Sequence, residues 1–243
     1  MTEQSALEIP ERALAVCAHP DDVDFRCAGT LASWARRGTR ITLLVLTDGA
    51  KGSHDTSLTD AEIRDRRRQE QRAAARVVGY DDVRFLSEPD GLLNAGEETV
   101  EQVALVIREV RPQVLLTYDP WAPYILHPDH TEAGRIGFLA AVRAREPRFY
   151  REAARRGRNH WSVGELWLFA PFQANRLEDI SDTFTTKLQA IMCHESQYET
   201  EMGFSPGDEK GRDRFEEQMR AMFAAIGERG GHRYGEEFRR IPL

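Results

Sequence analysis

Apolar residues in the first two-thirds of the chain alternate between two rhythms. Largely apolar runs at 14–18 (LAVCA) and 41–46 (ITLLVL) have the length and β-rich character of strands buried on both faces, and 83–86 (VRFL) and 114–117 (VLLT) read as further short strands. Between them the spacing becomes helical: Val100, Val103, Ala104, Ile107 and Val110 form one stripe over 97–110, which Pro112 stops. Further helices are expected over 29–37, closed by Gly38, over the Arg/Glu-rich 60–78, closed by Gly79, and over 129–145, with Pro128 at its first turn. Thr47-Asp48-Gly49 and Pro89-Asp90-Gly91 are turn signals. Strands alternating with helices predict right-handed βαβ units, hence a Rossmann-like α/β fold: a mostly parallel sheet with helices on both faces.

The last third is less regular. Residues 143–160 are strongly basic and read as a solvated helix and loop. Residues 165–169 read as a strand, and 183–193 and 212–226 as helices. This gives an α+β portion over about 146–243, appended to a core over about 12–145 within one domain spanning 1–243. No internal repeat or low-complexity tract interrupts it.

Composition narrows the function classes. At 243 residues, 41% hydrophobic and 30% charged, the chain is an ordinary globular one. A formal net charge of -7 argues against a general nucleic-acid or anionic-membrane binder. No apolar run approaches the roughly 18 residues of a membrane span. The polar, acidic stretch 1–12 lacks the basic-then-apolar profile of a signal peptide. Cys17, Cys27 and Cys193 are too few and scattered for a disulfide framework, so reduced thiols in a cytoplasmic protein are expected.

Chemistry concentrates in two clusters, His19-Pro20-Asp21-Asp22 and His127-Pro128-Asp129-His130. The first follows the strand 14–18; the second follows the strand 114–117 after a loop rich in Pro, Trp and Tyr. Open parallel sheets bind ligands beyond the carboxyl ends of their strands, so both clusters fall on one rim. Turn chemistry alone could explain one His-Pro-Asp stretch, but two on one rim point to a site. His19, Asp22 and His130 form a His₂Asp set of the kind that holds catalytic zinc and leaves a position for water. Asp21, adjacent but not a ligand, suits a general base. His127, at the helix start, is placed to donate to an oxyanion, aided by the positive helix terminus. Asp129 could orient His127 or cap the helix; the two roles are compatible.

Other residues carry weaker signals. Cys17 could face the metal, but a buried strand cysteine is the plainer reading. Asp24 reads as a helix cap or a further ligand. His54, His160 and His232 have no partner pattern. The arginines of 64–72 form a solvated face from which one or two could reach substrate. Trp121 and Tyr124 either stack on a sugar or pin their own loop.

The stretches Ala18-His19-Pro20-Asp21-Asp22, Gly29-Thr30-Leu31-Ala32, Thr47-Asp48-Gly49 and His127-Pro128-Asp129-His130 resemble the LmbE-like (PIG-L) family of N-acetylglucosaminyl deacetylases and related amidases. Lys187, Ala190, His194, Ser196 and Gln197 match the family's Lys-x-x-Ala-x-x-x-His-x-Ser-Gln pattern, and 234–238 (YGEEF) is similar to its Glu-x-Phe ending. The resemblance covers most of the chain. It implies a Rossmann-like fold and one divalent metal, usually zinc, with another such as Fe²⁺ as the alternative. It also implies His19, Asp22 and His130 as ligands, Asp21 as base and His127 as the electrostatic or acid histidine. Substrate contacts are implied at Asp90, at Arg68 or its neighbour Arg67, and at His194, which falls in the Lys-x-x-Ala-x-x-x-His-x-Ser-Gln motif. Some members carry a tyrosine where this chain has Ile125, with Tyr124 one residue earlier. Some members are homo-oligomers.

The expected reaction is hydrolysis of an N-acyl, typically N-acetyl, amide on an amino sugar or glycoconjugate. The same site could serve an amidase of a larger thiol conjugate or N-acyl antibiotic. A metal-containing sugar-binding protein without turnover is disfavoured, because binding alone needs neither Asp21 nor His127. A dinucleotide-binding dehydrogenase is disfavoured too, since no Gly-x-Gly-x-x-Gly follows the first strand.

Overall fold

In the computed structural model, which describes residues 9–243, each short apolar run becomes a strand. Residues 1–8 of the polar N-terminal stretch lie outside the described residues. The strands β1 (Arg12–Cys17), β2 (Arg40–Thr47), β3 (Asp82–Glu88), β4 (Val114–Tyr118) and β5 (Glu165–Phe169) pair in parallel in the order β3-β2-β1-β4-β5. Helices α1 (Asp22–Arg36), α2 (Asp60–Val78), α3 (Glu97–Val110) and α4 (Pro128–Arg145) make the crossovers. β1, β4 and β5 are buried along nearly their whole length, as parallel strands covered on both faces must be. The chain runs outward from β1 to β3, then returns through α3 to β4 on the other side of β1. The direction therefore reverses between β1 and β4, and this is the crevice where such sheets bind ligands.

Two expectations are corrected. The first helix begins at Asp22 rather than at Gly29. Its buried stripe already includes Val23 and Cys27 ahead of Leu31 and Trp34, with Asp21 in the N-cap position. The His/Asp cluster thus runs into a helix, and Asp24 lies in its first turn instead of capping it. The last third also holds two strands that sequence pattern did not reveal, β6 (Arg176–Asp179) and β7 (Gly235–Pro242), beside α5 (Arg151–Arg155), α6 (Phe184–Ile191) and α7 (Glu209–Glu228). β7 pairs antiparallel with β5, and β6 antiparallel with β7, which completes a seven-stranded sheet. Their charged sequences suit the partly exposed end of a sheet, where apolar alternation is weak. No helix among the described residues is long and apolar enough to cross a membrane.

One buried ion pair fastens this C-terminal portion to α1. Lys187 of α6 and Glu236 of β7 have wholly buried side chains 2.7 Å apart. Glu236 also accepts from the Gly29 and Thr30 amides (3.0 and 2.8 Å) and from the Thr30 hydroxyl (2.6 Å). Lys187 Nζ donates to the Asp24 and Phe25 carbonyls (3.0 and 2.8 Å). At Gly29 a Cβ would meet Ile180 at 2.8 Å, so only glycine allows the approach. Removing one partner leaves a buried charge uncompensated. Lys187→Met or Glu236→Gln is therefore expected to lower unfolding free energy by about 3–5 kcal/mol, read as a shift of the denaturant midpoint.

Candidate active site

The first cluster is shaped by one unusual backbone conformation. Asp21 sits at φ 93° and ψ -32°, a left-handed setting rare for a residue with a side chain. Its carbonyl accepts from the Asp24 and Phe25 amides (2.8 and 3.1 Å), which starts α1. The kink sends two adjacent carboxylates to different partners. Asp21 Oδ2 accepts from Arg67 Nη2 at 3.0 Å. Asp22 Oδ2 accepts from the His19 amide (2.8 Å); its Oδ1 accepts from the Tyr118 hydroxyl (2.7 Å) and lies 3.1 Å from His130 Nε2. Arg67 is buried and also donates to the Gly49 and Pro20 carbonyls (3.0 and 2.8 Å). A Cβ at Gly52 would fall 2.1 Å from its Nη1, so glycine there makes room for the guanidinium.

The second cluster opens α4. His127 is the N-cap and Pro128 occupies the first turn; His127 Nδ1 accepts from the Asp129 amide at 3.3 Å. His130, one turn on, stacks against Tyr118 with centroids 4.2 Å apart and planes 9° apart. The Asp129 carboxylate does not turn toward His127 and does not cap the helix. It accepts from the Gly91 and Leu93 amides (2.8 and 3.2 Å) and lies 3.3 Å from His19 Nε2. Asp90 Oδ1 approaches the same nitrogen at 3.1 Å. His19 therefore joins the rim loops that follow β1, β3 and β4.

These contacts set the charges. Burial alone would lower the His19 pKa, but hydrogen bonds to Asp129 and Asp90, with the Asp22 charge, push it up to about 10. Burial raises Asp21 to about 6 even though Arg67 pulls the other way. Burial would raise Asp22 too, yet His130 and His19 hold it below the usual carboxylate range. Desolvation, together with the charges of His19 and His130, lowers His127, so its imidazole is the neutral form near pH 7.

A cavity of about 480 Å³ opens over these groups. One wall carries His19, Asp21, Asp22, His127 and His130, and another Phe25, Phe215, Met219 and Met222. The donor set fits a divalent cation. Tetrahedral zinc ligands at about 2.1 Å from the metal stand about 3.4 Å apart; His130 Nε2 lies 3.1 Å from Asp22 Oδ1, and His19 Nδ1 lies 3.8 Å from the other oxygen, Oδ2. With Nε2 held between Asp90 and Asp129, His19 offers Nδ1, the arrangement by which carboxylates orient a ligating imidazole. Among the described residues, the groups whose ligand atoms all lie within 4.8 Å of one another are His19, His127 and His130, and His19, Asp90 and Asp129. Asp22 would bring a negative charge to such a set, while His127 Nδ1 is engaged at the helix cap.

The chain matches the PIG-L family, described as GlcNAc-PI de-N-acetylase, over residues 14–141, which carry both clusters and the reversal between β1 and β4. It belongs to this family. It is 31% identical to the diacetylchitobiose deacetylase of Thermococcus kodakarensis over 96% of this chain and 84% of that one. It is 34% identical to the 1D-myo-inositol 2-acetamido-2-deoxy-alpha-D-glucopyranoside deacetylase of Streptomyces avermitilis, over 66% of this chain and 62% of that one. Among solved structures, the N,N'-diacetylchitobiose deacetylase of Pyrococcus horikoshii superposes with a TM-score of 0.89 at 28% identity, covering 100% of this chain and 88% of the other.

Several residues singled out in this PIG-L chain lie away from the cavity. Arg68 points to β3, donating to the Ser87 hydroxyl (3.2 Å) and lying over Phe85; its neighbour Arg67 lines the cavity instead. Trp121 packs on Phe138, and Tyr124 is 92% exposed; neither lines the cavity. His194 is wholly buried, 2.8 Å from Asp24 Oδ2. The Cys17 thiol donates to the His19 carbonyl (3.3 Å) inside the core. Asp90 does line the cavity. Sequence reasoning missed Tyr118 and Gln71. Tyr118 ends a strand on the carboxyl rim, which is a usable signal; a glutamine within a polar helix offers none.

The raised His19 pKa has a measurable consequence. With a chelator present, its contribution to stability is full below the unfolded value of about 6.5 and is lost as pH rises through the folded value of about 10. The melting temperature of the chelated protein should thus fall between pH 7 and 10 more steeply than that of chelated His19→Gln. Parallel profiles would contradict the charge assignment.

Proposed function

We propose that the protein is a zinc-dependent N-deacetylase acting on an N-acetylated amino sugar or glycoconjugate. The observation that carries the proposal is the divergence of two neighbouring carboxylates. Asp22 faces His130 and His19, while Asp21 faces Arg67 and stays apart from that donor set. The named activities of the PIG-L relatives support the choice of an acetamido sugar.

His19, Asp22 and His130 would hold the metal. When bound, such an ion acidifies water and polarises a carbonyl. Asp21 takes the proton from the attacking water, and its raised pKa of about 6 suits it both to accept that proton and to pass it on near neutrality. The neutral His127 accepts the Asp129 amide at Nδ1, which puts its proton on Nε2. That N–H is the donor for the oxygen that becomes negative when water adds to the carbonyl carbon. The C–N bond then breaks, the nitrogen takes the proton held by Asp21, and acetate and the free amine leave. Asp90 and Asp129 keep the His19 ring in register.

The wall of Phe25, Phe215, Met219 and Met222 favours one second reading, an amidase that releases a longer apolar acyl group. A panel of N-acyl glucosamines and their glycoconjugates, assayed with zinc-loaded protein, separates the two by the acid released. Release of no acid from any member would overturn both. Asp21→Asn should retain the metal and lose turnover by about 10²–10⁴-fold; an equally active variant would refute Asp21 as the base. Asp22→Ala should lose metal on dialysis, and unchanged zinc content by elemental analysis would remove Asp22 from the ligand set.

A further inference from the structure

Asp21 keeps its left-handed backbone because one peptide is held at both of its polar groups. The Pro20 carbonyl and the Asp21 N–H belong to the same peptide unit. Arg67 Nη2 donates to the carbonyl at 2.8 Å, and Gln71 Oε1 accepts the N–H at 2.8 Å. Arg67 and Gln71 lie one turn apart on the buried face of α2. Rotation of that peptide would relieve the strain by changing φ of Asp21, and the two side chains oppose it directly.

The Gln71 amide is oriented in turn. Its Nε2 donates to Asp24 Oδ2 at 2.8 Å, and His194 Nε2 approaches the same oxygen at 2.8 Å. Gln71, Asp24 and His194 are all fully buried. A carboxylate on one side and an N–H on the other allow the amide only one orientation: oxygen toward Asp21, nitrogen toward Asp24. Without Asp24 the amide could turn its NH₂ against the Asp21 N–H. Asp24 Oδ1 and His194 Nδ1 have no hydrogen-bond partner among the described residues. A stretch kept for stability alone would favour apolar packing over such a cluster.

We propose that Gln71, oriented by Asp24 and His194, is a positioning residue for the Asp21 carboxylate. It does not line the cavity and acts through the Pro20–Asp21 peptide. The inference rests on the reading of Asp21 as the general base, and a double-mutant cycle keeps the two apart. In zinc-loaded protein, Gln71→Met should lower kcat on the order of 10–100-fold, the scale of a misplaced catalytic group. KM and zinc content should stay at parental values. In the Asp21→Asn background the same substitution should cause no further loss. If Gln71→Met does not fold, Gln71→Asn, which keeps the amide but cannot reach, is carried through the same cycle. Equal losses in both backgrounds, or a folded Gln71 variant with parental kcat, would overturn the positioning role while leaving Asp21 as base. A fully active Asp21→Asn protein would overturn the base reading and the positioning role with it.

Discussion

The carboxylates of Asp21 and Asp22 meet different partners because the backbone turns sharply at Asp21, through a left-handed conformation. In a regular strand or helix the two side chains would have kept the fixed relation that their period imposes. The kink breaks that relation, starts α1 and lets Asp22 face the histidines while Asp21 faces Arg67. Such a conformation costs on the order of 1–2 kcal/mol in a residue other than glycine. It persists because Arg67 and Gln71 grip the peptide and because the Asp24 and Phe25 amides take up the Asp21 carbonyl.

The electrostatics of the rim follow from that arrangement. Asp21, Asp22, Asp24, Asp90 and Asp129 are buried carboxylates, crowded against Arg67 and a few imidazoles. Acidic side chains removed from water need positive partners, and His19 answers by holding its proton far above its ordinary range. The same excess of carboxylate makes the crevice favourable for a divalent cation, whose binding would take over the role of that proton. His127 is driven the other way, toward the neutral form, by desolvation and its two histidine neighbours.

The C-terminal portion works from behind. His194 supports Asp24, Ser196 donates to Glu70 on α2 through its amide and hydroxyl (2.9 and 2.5 Å), and Gln197 donates to the Gly52 carbonyl (2.8 Å) beside Arg67. Lys187 and Glu236 lock α6 and β7 onto α1. Of these family-like residues, Gln197 lines the cavity; Lys187, His194, Ser196 and Glu236 do not. Those four brace the helices that carry Arg67, Gln71 and Asp24.

The sequence by itself determined the parallel core, because buried strands and helix stripes are local patterns of apolar residues that need no tertiary context to be read. It also determined that the two His/Asp clusters meet, since both follow strands at the same end of a parallel sheet. The strands β6 and β7 at the antiparallel end of the sheet were hidden, as partly exposed strands carry charge in place of a clear alternation. The direction of Asp129 toward His19, the choice of Arg67 over Arg68 and the burial of His194 depend on side chains far apart in sequence. Only packing decided them, because burial and hydrogen-bond partners arise from three-dimensional neighbours. The sharpest case is Asp21 itself: its identity is plain in the sequence, but its left-handed backbone follows from α2, some fifty residues downstream.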